Sequence, residues 1–549
     1  MTFELLPLSA AFRPGRTPAV EVRGLPGPGT LRVLHLGEHV AEHPVAADGV
    51  VELGELPPGG YGVELAGART ALEVLPDGAR RLRYGFVTDY RPGRDPSPVA
   101  DNVRRLHLTD VQFYDWAYRH ADLLGGGEDY TDALDQPISL ATVRALIEAV
   151  HGAGAAALGY AAVYGVGNAE WPDWEHAALL KPTGDPYSLG DFLRLVDPGD
   201  PGWSSHFTAD LRTSVERVGF DGFHLDQYGY PKHAVRPDGT AVSVEDSFAA
   251  VIDAARAELP ESRLVFNNVN DFPTWRTGHT AQDAVYIEVW PPHTTLGHLA
   301  SVVREARRAG GDKPVAIAAY QHIYSEPGVG AASADLATAF TMATLYSHGA
   351  SHLLCGEADR ILVDPYYVRN HVTEPSTAAL LKRWYDFLVE HIELLHAPEL
   401  ADMTGALAGP YNDDCDVSYA DGTPVTETPV PGAVWRRVLG SGDRLVVHLV
   451  NLAGQDDAEW DAPRKPVREP VGGTLRFRRP GPYLPRVRHA DPDRAGVLLY
   501  LPVTADGDHA VVELPAPHVW QLLLIDLHTP APSGTPTEPR APSTSTDIT

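Results

Sequence analysis

Between residues 84 and 356 one pattern recurs eight times: a short apolar run of strand character, followed by a stretch whose apolar residues fall at helical spacing. The strands read as 84–89 (YGFVTD), 111–115 (VQFYD), 155–165 (AAALGYAAVYG), 220–226 (FDGFHLD), 264–268 (LVFNN), 284–289 (AVYIEV), 314–320 (PVAIAAY) and 351–356 (SHLLCG). Between them, Ile138, Val143, Leu146, Ile147 and Val150 share one helical face, as do Phe248, Val251, Ile252 and Ala255. Ser243 and Asp246 stand in capping-box spacing before the second helix. Eight strand–helix units are the number that closes a parallel barrel. The expected fold class is therefore α/β, with a (β/α)8 TIM barrel over residues 81–395.

Both flanks lack helical spacing. Residues 1–80 carry short alternating segments (AVEVRG, LRVLHL, GYGVELAG) separated by Pro and Gly, which predicts an N-terminal immunoglobulin-like β-sandwich. After residue 395 strands return in AVWRRVLG, RLVVHLVNL, GVLLYLPV and HVWQLLLIDL, predicting a C-terminal antiparallel β domain over 396–527. The tail, 528–549, is rich in Pro, Ser and Thr and is expected to be disordered.

Charge narrows the partners. With 44 Lys+Arg against 73 Asp+Glu the formal charge is −29, which repels nucleic acid and anionic lipid and favours a neutral ligand such as an oligosaccharide or polysaccharide. The two cysteines, Cys355 and Cys415, fall in different expected domains and support neither a disulfide framework nor a cysteine metal site. No H-x-H or H-E-x-x-H arrangement stands at a strand end, so neither metal nor cofactor is expected. The start lacks a basic region followed by an apolar run, and no stretch reaches 18 apolar residues. The expected location is cytoplasmic, or secreted if a leader has been removed.

In a β/α barrel the reacting groups sit at the C-terminal ends of strands. Asp226 ends strand four and Glu288 ends strand six, two strands apart around the ring. Paired carboxylates leaning over one crevice are what glycoside hydrolysis needs, one as nucleophile and one as acid/base. Glu288, in VYIEVWPP, has apolar and aromatic neighbours that favour its protonated form. Asp226 precedes Gln227 and Tyr228, which carry donors that favour its anion. Asp221, at the opening of strand four, reads as structural.

Candidate substrate contacts surround this pair. Tyr114, Asp115 and His120 lie in VQFYDWAYRH at and after the end of strand two. Asp89 ends strand one, Tyr164 lies at the end of strand three, Asn268 ends strand five and Tyr320 ends strand seven. His224, Gln227 and Trp290 adjoin the two acids. The segment 165–203 is long for a barrel loop, and its Trp171, Trp174 and Trp203, like Trp290, are candidate stacking platforms.

VQFYDWAYRH, GFDGFHLDQYG and VYIEVW together resemble the barrel motifs of glycoside hydrolase family 66, the dextranases and cycloisomaltooligosaccharide glucanotransferases. GEADRILVDPYY and LVVHLVN are similar to later segments of that family, so the likeness extends over about residues 15–527. The resemblance implies a retaining hydrolase of α-1,6-linked glucan or isomaltooligosaccharides that acts through a glycosyl-aspartate, with Asp226 as nucleophile and Glu288 as acid/base. The family's run at the nucleophile resembles GFDGWQGDTIG, whereas His224, Leu225, Gln227 and Tyr228 stand here. Those differences fall beside the reacting group and bear on which sugar is accepted. Three other readings remain open: a transglycosylase of the same family, a hydrolase of another α-linked oligosaccharide, and a non-catalytic carbohydrate-binding protein.

Overall fold

The computed structural model describes residues 3–530 other than 410 and 413. All eight expected barrel strands form: β1 (Tyr84–Val87), β2 (Asp110–Phe113), β3 (Ala156–Ala162), β4 (Gly222–Asp226), β5 (Arg263–Asn267), β6 (Ala284–Glu288), β7 (Val315–Ala318) and β8 (Ala350–His352). They pair in parallel in sequence order from β1 to β8. Every residue of β3 and β6 is buried, as expected where one face meets the barrel interior and the other meets helices.

The ladder is not continued between β8 and β1, and close packing closes the ring instead. A Cβ on Gly356 would meet the Phe86 nitrogen at 2.1 Å, so only glycine lets the two segments lie together. Just beyond, the Glu357 carboxylate accepts from the Thr88 hydroxyl at 3.1 Å and from the Asp89 N–H at 3.3 Å.

Strand four shows how local sequence places the site. The helix Pro201–Val218 is capped by Asp200, whose carboxylate accepts from the N–H groups of Gly202 and Trp203, and it ends at Gly219 with φ 101°. The Asp221 carboxylate then accepts from the Ala157 N–H and contacts His151, both at 2.7 Å, which aligns the starts of β3 and β4. Gly222 follows, and a Cβ there would lie 1.9 Å from the Arg263 carbonyl oxygen. The second helix named from sequence does form, Val244–Glu258, but Ser243 makes no side-chain cap bond; Asp246 instead receives Arg276. After β5 the helix is only Thr274–Thr277.

The N-terminal sandwich begins at Glu4, earlier than the alternation indicates. Its sheets run Glu4–Pro7, Ala19–Arg23, Gly49–Glu52 and Glu38–Val45, Gly29–His35, Gly59–Leu65, Ala68–Val74. They enclose a core that includes Val20, Leu31, Val33, Val63 and Leu72. This sandwich is not separate from the barrel: one compact unit extends to Pro398 and takes in Ala458–Pro466. Arg69 pairs with Glu390 of the last barrel helix, Pro375–Glu390, and a Cβ on Gly60 would strike the Val389 carbonyl at 2.3 Å. Buried Arg83 joins Glu73 of the sandwich to the His107 carbonyl before β2.

The short stretch Ala458–Pro466 packs on the barrel's upper loops. Trp460 donates its indole N–H to the His293 carbonyl at 2.7 Å, and Asp461 accepts from the Ile323 N–H and contacts His322, both at 3.0 Å.

The second unit comprises Glu399–Asp457 and the chain from Val467 on. Its two sheets enclose Val434, Val447, Leu449, Leu475, Phe477 and Leu523. Pairing is antiparallel except where Val425–Thr426 runs parallel to Val434–Ser441. The final strand, Trp520–Pro530, passes the expected end at 527; from 531 the Pro/Ser/Thr-rich tail lies outside the described residues. Among the described residues no helix is long and apolar enough to cross a membrane.

Candidate active site

A cavity of about 540 Å³ opens at the C-terminal ends of the barrel strands, with Asp226 and Glu288 in its wall. The two acids meet through a third residue. The amide nitrogen of Asn267, at the end of β5 between them, donates to Asp226 Oδ1 at 2.7 Å and to Glu288 Oε2 at 3.0 Å. Each acid has a second donor: the Tyr160 hydroxyl reaches Asp226 Oδ2 at 2.7 Å, and the Tyr320 hydroxyl reaches Glu288 Oε1 at 2.8 Å. All four oxygens therefore accept a hydrogen bond.

Burial pushes both acids up. Asp226 rises to about 6, because the bonds from Asn267 and Tyr160 only partly offset desolvation. Glu288 rises further, to about 7, since the charge of Asp226 adds to burial and outweighs its own donors. The charge of Asp226 beside it thus favours a proton on Glu288.

Several expected contacts line the cavity: Tyr114, Asp115, His120, His224, Gln227, Trp290 and Tyr320. Asp115 is buried at φ 46°, and burial with the nearby charges of Asp132 and Asp226 holds its pKa well above the carboxylate range. Its carboxylate accepts no hydrogen bond among the described residues, which leaves it open to a ligand hydroxyl. Burial lowers His120 to about 4 and His224 to about 3, so both are neutral. His224 lies between the rings of Tyr84 and Tyr160 and contacts the Tyr84 hydroxyl at 3.0 Å. Gln227 borders the cavity, but its amide donates to the Asn267 and Phe272 carbonyls and accepts from Gly229, so it fastens the loop after β4.

Three of the expected contacts are not brought into the cavity. Asn268 is buried and turned away, donating to the Phe266 and Tyr286 carbonyls and accepting from Thr277. The strand ends one residue earlier than expected, and side chains alternate, so Asn267 takes the inward position. Tyr164 accepts from the Tyr228 N–H and donates to the Tyr230 carbonyl, as a brace behind the wall. Asp89 is held at the rim by Arg91 at 3.0 Å.

Of the candidate stacking platforms, Trp290 lines the cavity with its ring 5.8 Å from that of Tyr320. Trp203 is fully buried and donates to the Val163 carbonyl, Trp174 packs on it, and Trp171 lies under Arg194. The long loop does reach the cavity, through Leu189, Phe192 and Leu193. Sequence reasoning missed Tyr160, Asn267, Tyr286 and Tyr367. The stretch AALGYAA carried a signal, a lone polar aromatic among small residues, and DPYY another. Tyr367 stacks on Tyr114 with centroids 4.3 Å apart. Among the described residues no group of three or more His, Cys, Asp or Glu is placed to hold a metal ion.

A model of glycosyl hydrolase family 66 matches residues 61–523. The chain belongs to that family. The match takes in the last strands of the sandwich, the whole barrel and most of the second unit. Among relatives, a cycloisomaltooligosaccharide glucanotransferase from Niallia circulans is 26% identical over 288 residues, which is 47% of this chain and 30% of the relative. A dextranase from Streptococcus salivarius is 26% identical over 260 residues, 41% of this chain and 31% of that one. The aligned part is thus under a third of either relative. A solved cycloisomaltooligosaccharide glucanotransferase from Paenibacillus sp., complexed with cycloisomaltoheptaose, superposes with a TM-score of 0.84 at 18% identity, covering 95% of this chain and 99% of that one. At that identity the likeness is one of fold.

Proposed function

We propose that this family 66 protein is a retaining glycoside hydrolase of α-1,6-linked glucan or isomaltooligosaccharides. Asp226 attacks the anomeric carbon and forms a glycosyl ester while Glu288 gives its proton to the leaving oxygen; Glu288 then takes a proton from the water that cleaves the ester.

The observation that carries this reading is the shared donor. Two oxygens bonded to one nitrogen at 2.7 and 3.0 Å stand no farther apart than those bonds laid end to end. So close an approach of one oxygen of each acid favours the carboxyl spacing of a retaining pair, roughly 5–5.5 Å, over the roughly 6.5–9.5 Å by which an inverting pair admits water. The electrostatics agree in direction, since the charge of Asp226 favours a proton on Glu288, the group that must donate one. The substrate class rests on the family and on relatives named for dextran and cyclic isomaltooligosaccharides.

The names of the glucanotransferase relatives favour a second reading, in which a sugar hydroxyl intercepts the same ester. Product analysis at low and high substrate concentration separates the two. A cytoplasmic site of action, on imported oligosaccharide, is proposed with either.

The test is proton NMR of the first products from dextran and isomaltooligosaccharides. Newly released reducing ends are expected as the α-anomer, and Asp226→Asn is expected to lower turnover by at least about three orders of magnitude. Early β-anomer, or an Asp226→Asn variant as fast as wild type, would refute the assignment.

A further inference from the structure

At the opposite end of the barrel, beneath β6, β7 and β8, lies a separate cavity of about 520 Å³. Its walls are the linker from the sandwich, Pro76 to Arg83, and the turns that lead into those strands. Arg80, Arg81, Arg83, Arg307 and Lys313 border it, against only Asp283 and Asp312. In a chain of net charge −29 this local excess runs against composition.

The cations fall into two groups. Arg81 and Arg83 pair with Glu73, and Arg80 pairs with Asp283. Asp283 also receives Arg256 and the Leu264 N–H, so it has little left for others. Among the described residues Lys313 bonds only the Gly278 and Thr280 carbonyls, at 2.7 and 2.8 Å. Arg307 makes no ion pair among the described residues, and only Asp312, through space, favours its charge. Burial lowers the pKa of both, and Arg80 lowers Lys313 further.

Arg307 is nonetheless held in a built position. A Cβ on Gly349 would lie 1.8 Å from its Nη1, so the guanidinium occupies space that only glycine leaves, at a residue whose φ of +85° also calls for glycine. His396 adds a further group: its ring bonds the Ala350 backbone, while Nε2 is buried without a partner. A fork of guanidinium donors beside an ammonium in a concave, poorly solvated space is the chemistry that recognises a tetrahedral anion, and Nε2 of the neutral His396 ring is an acceptor that suits a P–OH.

We propose that this cavity binds phosphate, free or as the monoester of a small metabolite, through Arg307 and Lys313 with His396 beside them. The negative charge of the whole molecule argues against polyanions at its surface, but a concave site responds to the groups that line it. The site is remote from the carboxylate pair and does not depend on the proposed function.

The test is thermal unfolding of the full chain, titrated with inorganic phosphate and with glucose 6-phosphate, against sodium chloride at equal ionic strength. A saturable rise in Tm is expected with at least one phosphate and not with chloride. Arg307→Gln is expected to hold its Tm without phosphate, since the guanidinium has no acid partner, and to raise the half-saturating concentration by about tenfold or more. Lys313→Gln supplies an independent variant with the same readout. Tighter binding of the sugar phosphate would assign the cavity to an ester; equal or weaker binding would assign it to the free ion. No saturable rise above chloride, or one equal in both variants and wild type, overturns the proposal.

Discussion

Asn267 donates to two acids at once, and so couples their charge states. Its bonds lower the pKa of Asp226 and of Glu288 against the upward push of burial. Replacing it with alanine removes both, and Asp226, which must be ionised to attack, then holds its proton to higher pH. The acidic limb of kcat/KM is therefore expected to move upward in Asn267→Ala, with a rate loss of about 10²- to 10³-fold. A pH–rate profile checks this, and an unmoved acidic limb would show that Asn267 only fills space. The two acids were legible in the sequence because each stands alone at the end of an apolar run. Asn267 was not, because the NN pair offers two amides and a one-residue change in where β5 ends decides which one faces inward. Tyr160 was hidden in another way: it belongs to a strand that reads as pure core, and only its neighbour's carboxylate gives it a role.

At the scale of elements, the barrel rests on places where strands approach more closely than a side chain allows. Gly222 is the clearest, since its neighbour on β5 is backbone and cannot turn aside. Gly222→Ala is expected to cost about 3 kcal/mol, the upper end for overpacking, by forcing β4 and β5 apart, with loss of activity because Asp226 ends the same strand. Gly152→Ala, with nothing within 4 Å of the added carbon, is the control and is expected to stay within about 0.5 kcal/mol. Urea unfolding of the two variants measures the difference; equal stability would remove close approach as the reason for glycine at 222. The strands and helices themselves were readable because two periods alternate, and that alternation leaves few other folds. The loop from 165 to 203 was readable as important but not in detail. Hydrophobic character marks Trp203 and Phe192 alike, yet Trp203 lies in the first turn of a helix and packs inward, while Phe192 reaches the cavity.

For the whole molecule, the buried acid pair sets a cost that depends on pH. Glu288 moves from an ordinary 4.5 to about 7 in the fold. The folded state therefore binds more protons than the unfolded chain between those values, and stability falls as pH rises through that window and levels off above it. By pH 8 the cost of the ionised Glu288 is on the order of 3 kcal/mol. Glu288→Gln is thus expected to raise Tm relative to wild type at pH 8, and to do so far less at pH 4.5. A difference independent of pH in calorimetry would contradict the account.

Domain order was legible from the change in period at either end of the barrel, but unit boundaries were not. Sequence places cuts near residues 80 and 395, whereas one compact unit takes in both the sandwich and the barrel, together with Ala458–Pro466. Nothing in those nine residues differs in composition from the loops around them, since their place is fixed by what they meet in space.

That arrangement has a consequence for how the protein is made. Chains emerge from the ribosome from the N-terminus at about 5–20 residues per second, and domains tend to fold as they emerge. All eight strands are out once Ala350–His352 has passed, yet the loops that follow Trp290 and Tyr320 wait for Trp460 and Asp461 to be synthesised before they gain these partners. The loops next to Trp290 and Tyr320 therefore gain these supports late, and a nascent chain can hold all eight strands before the supports are in place.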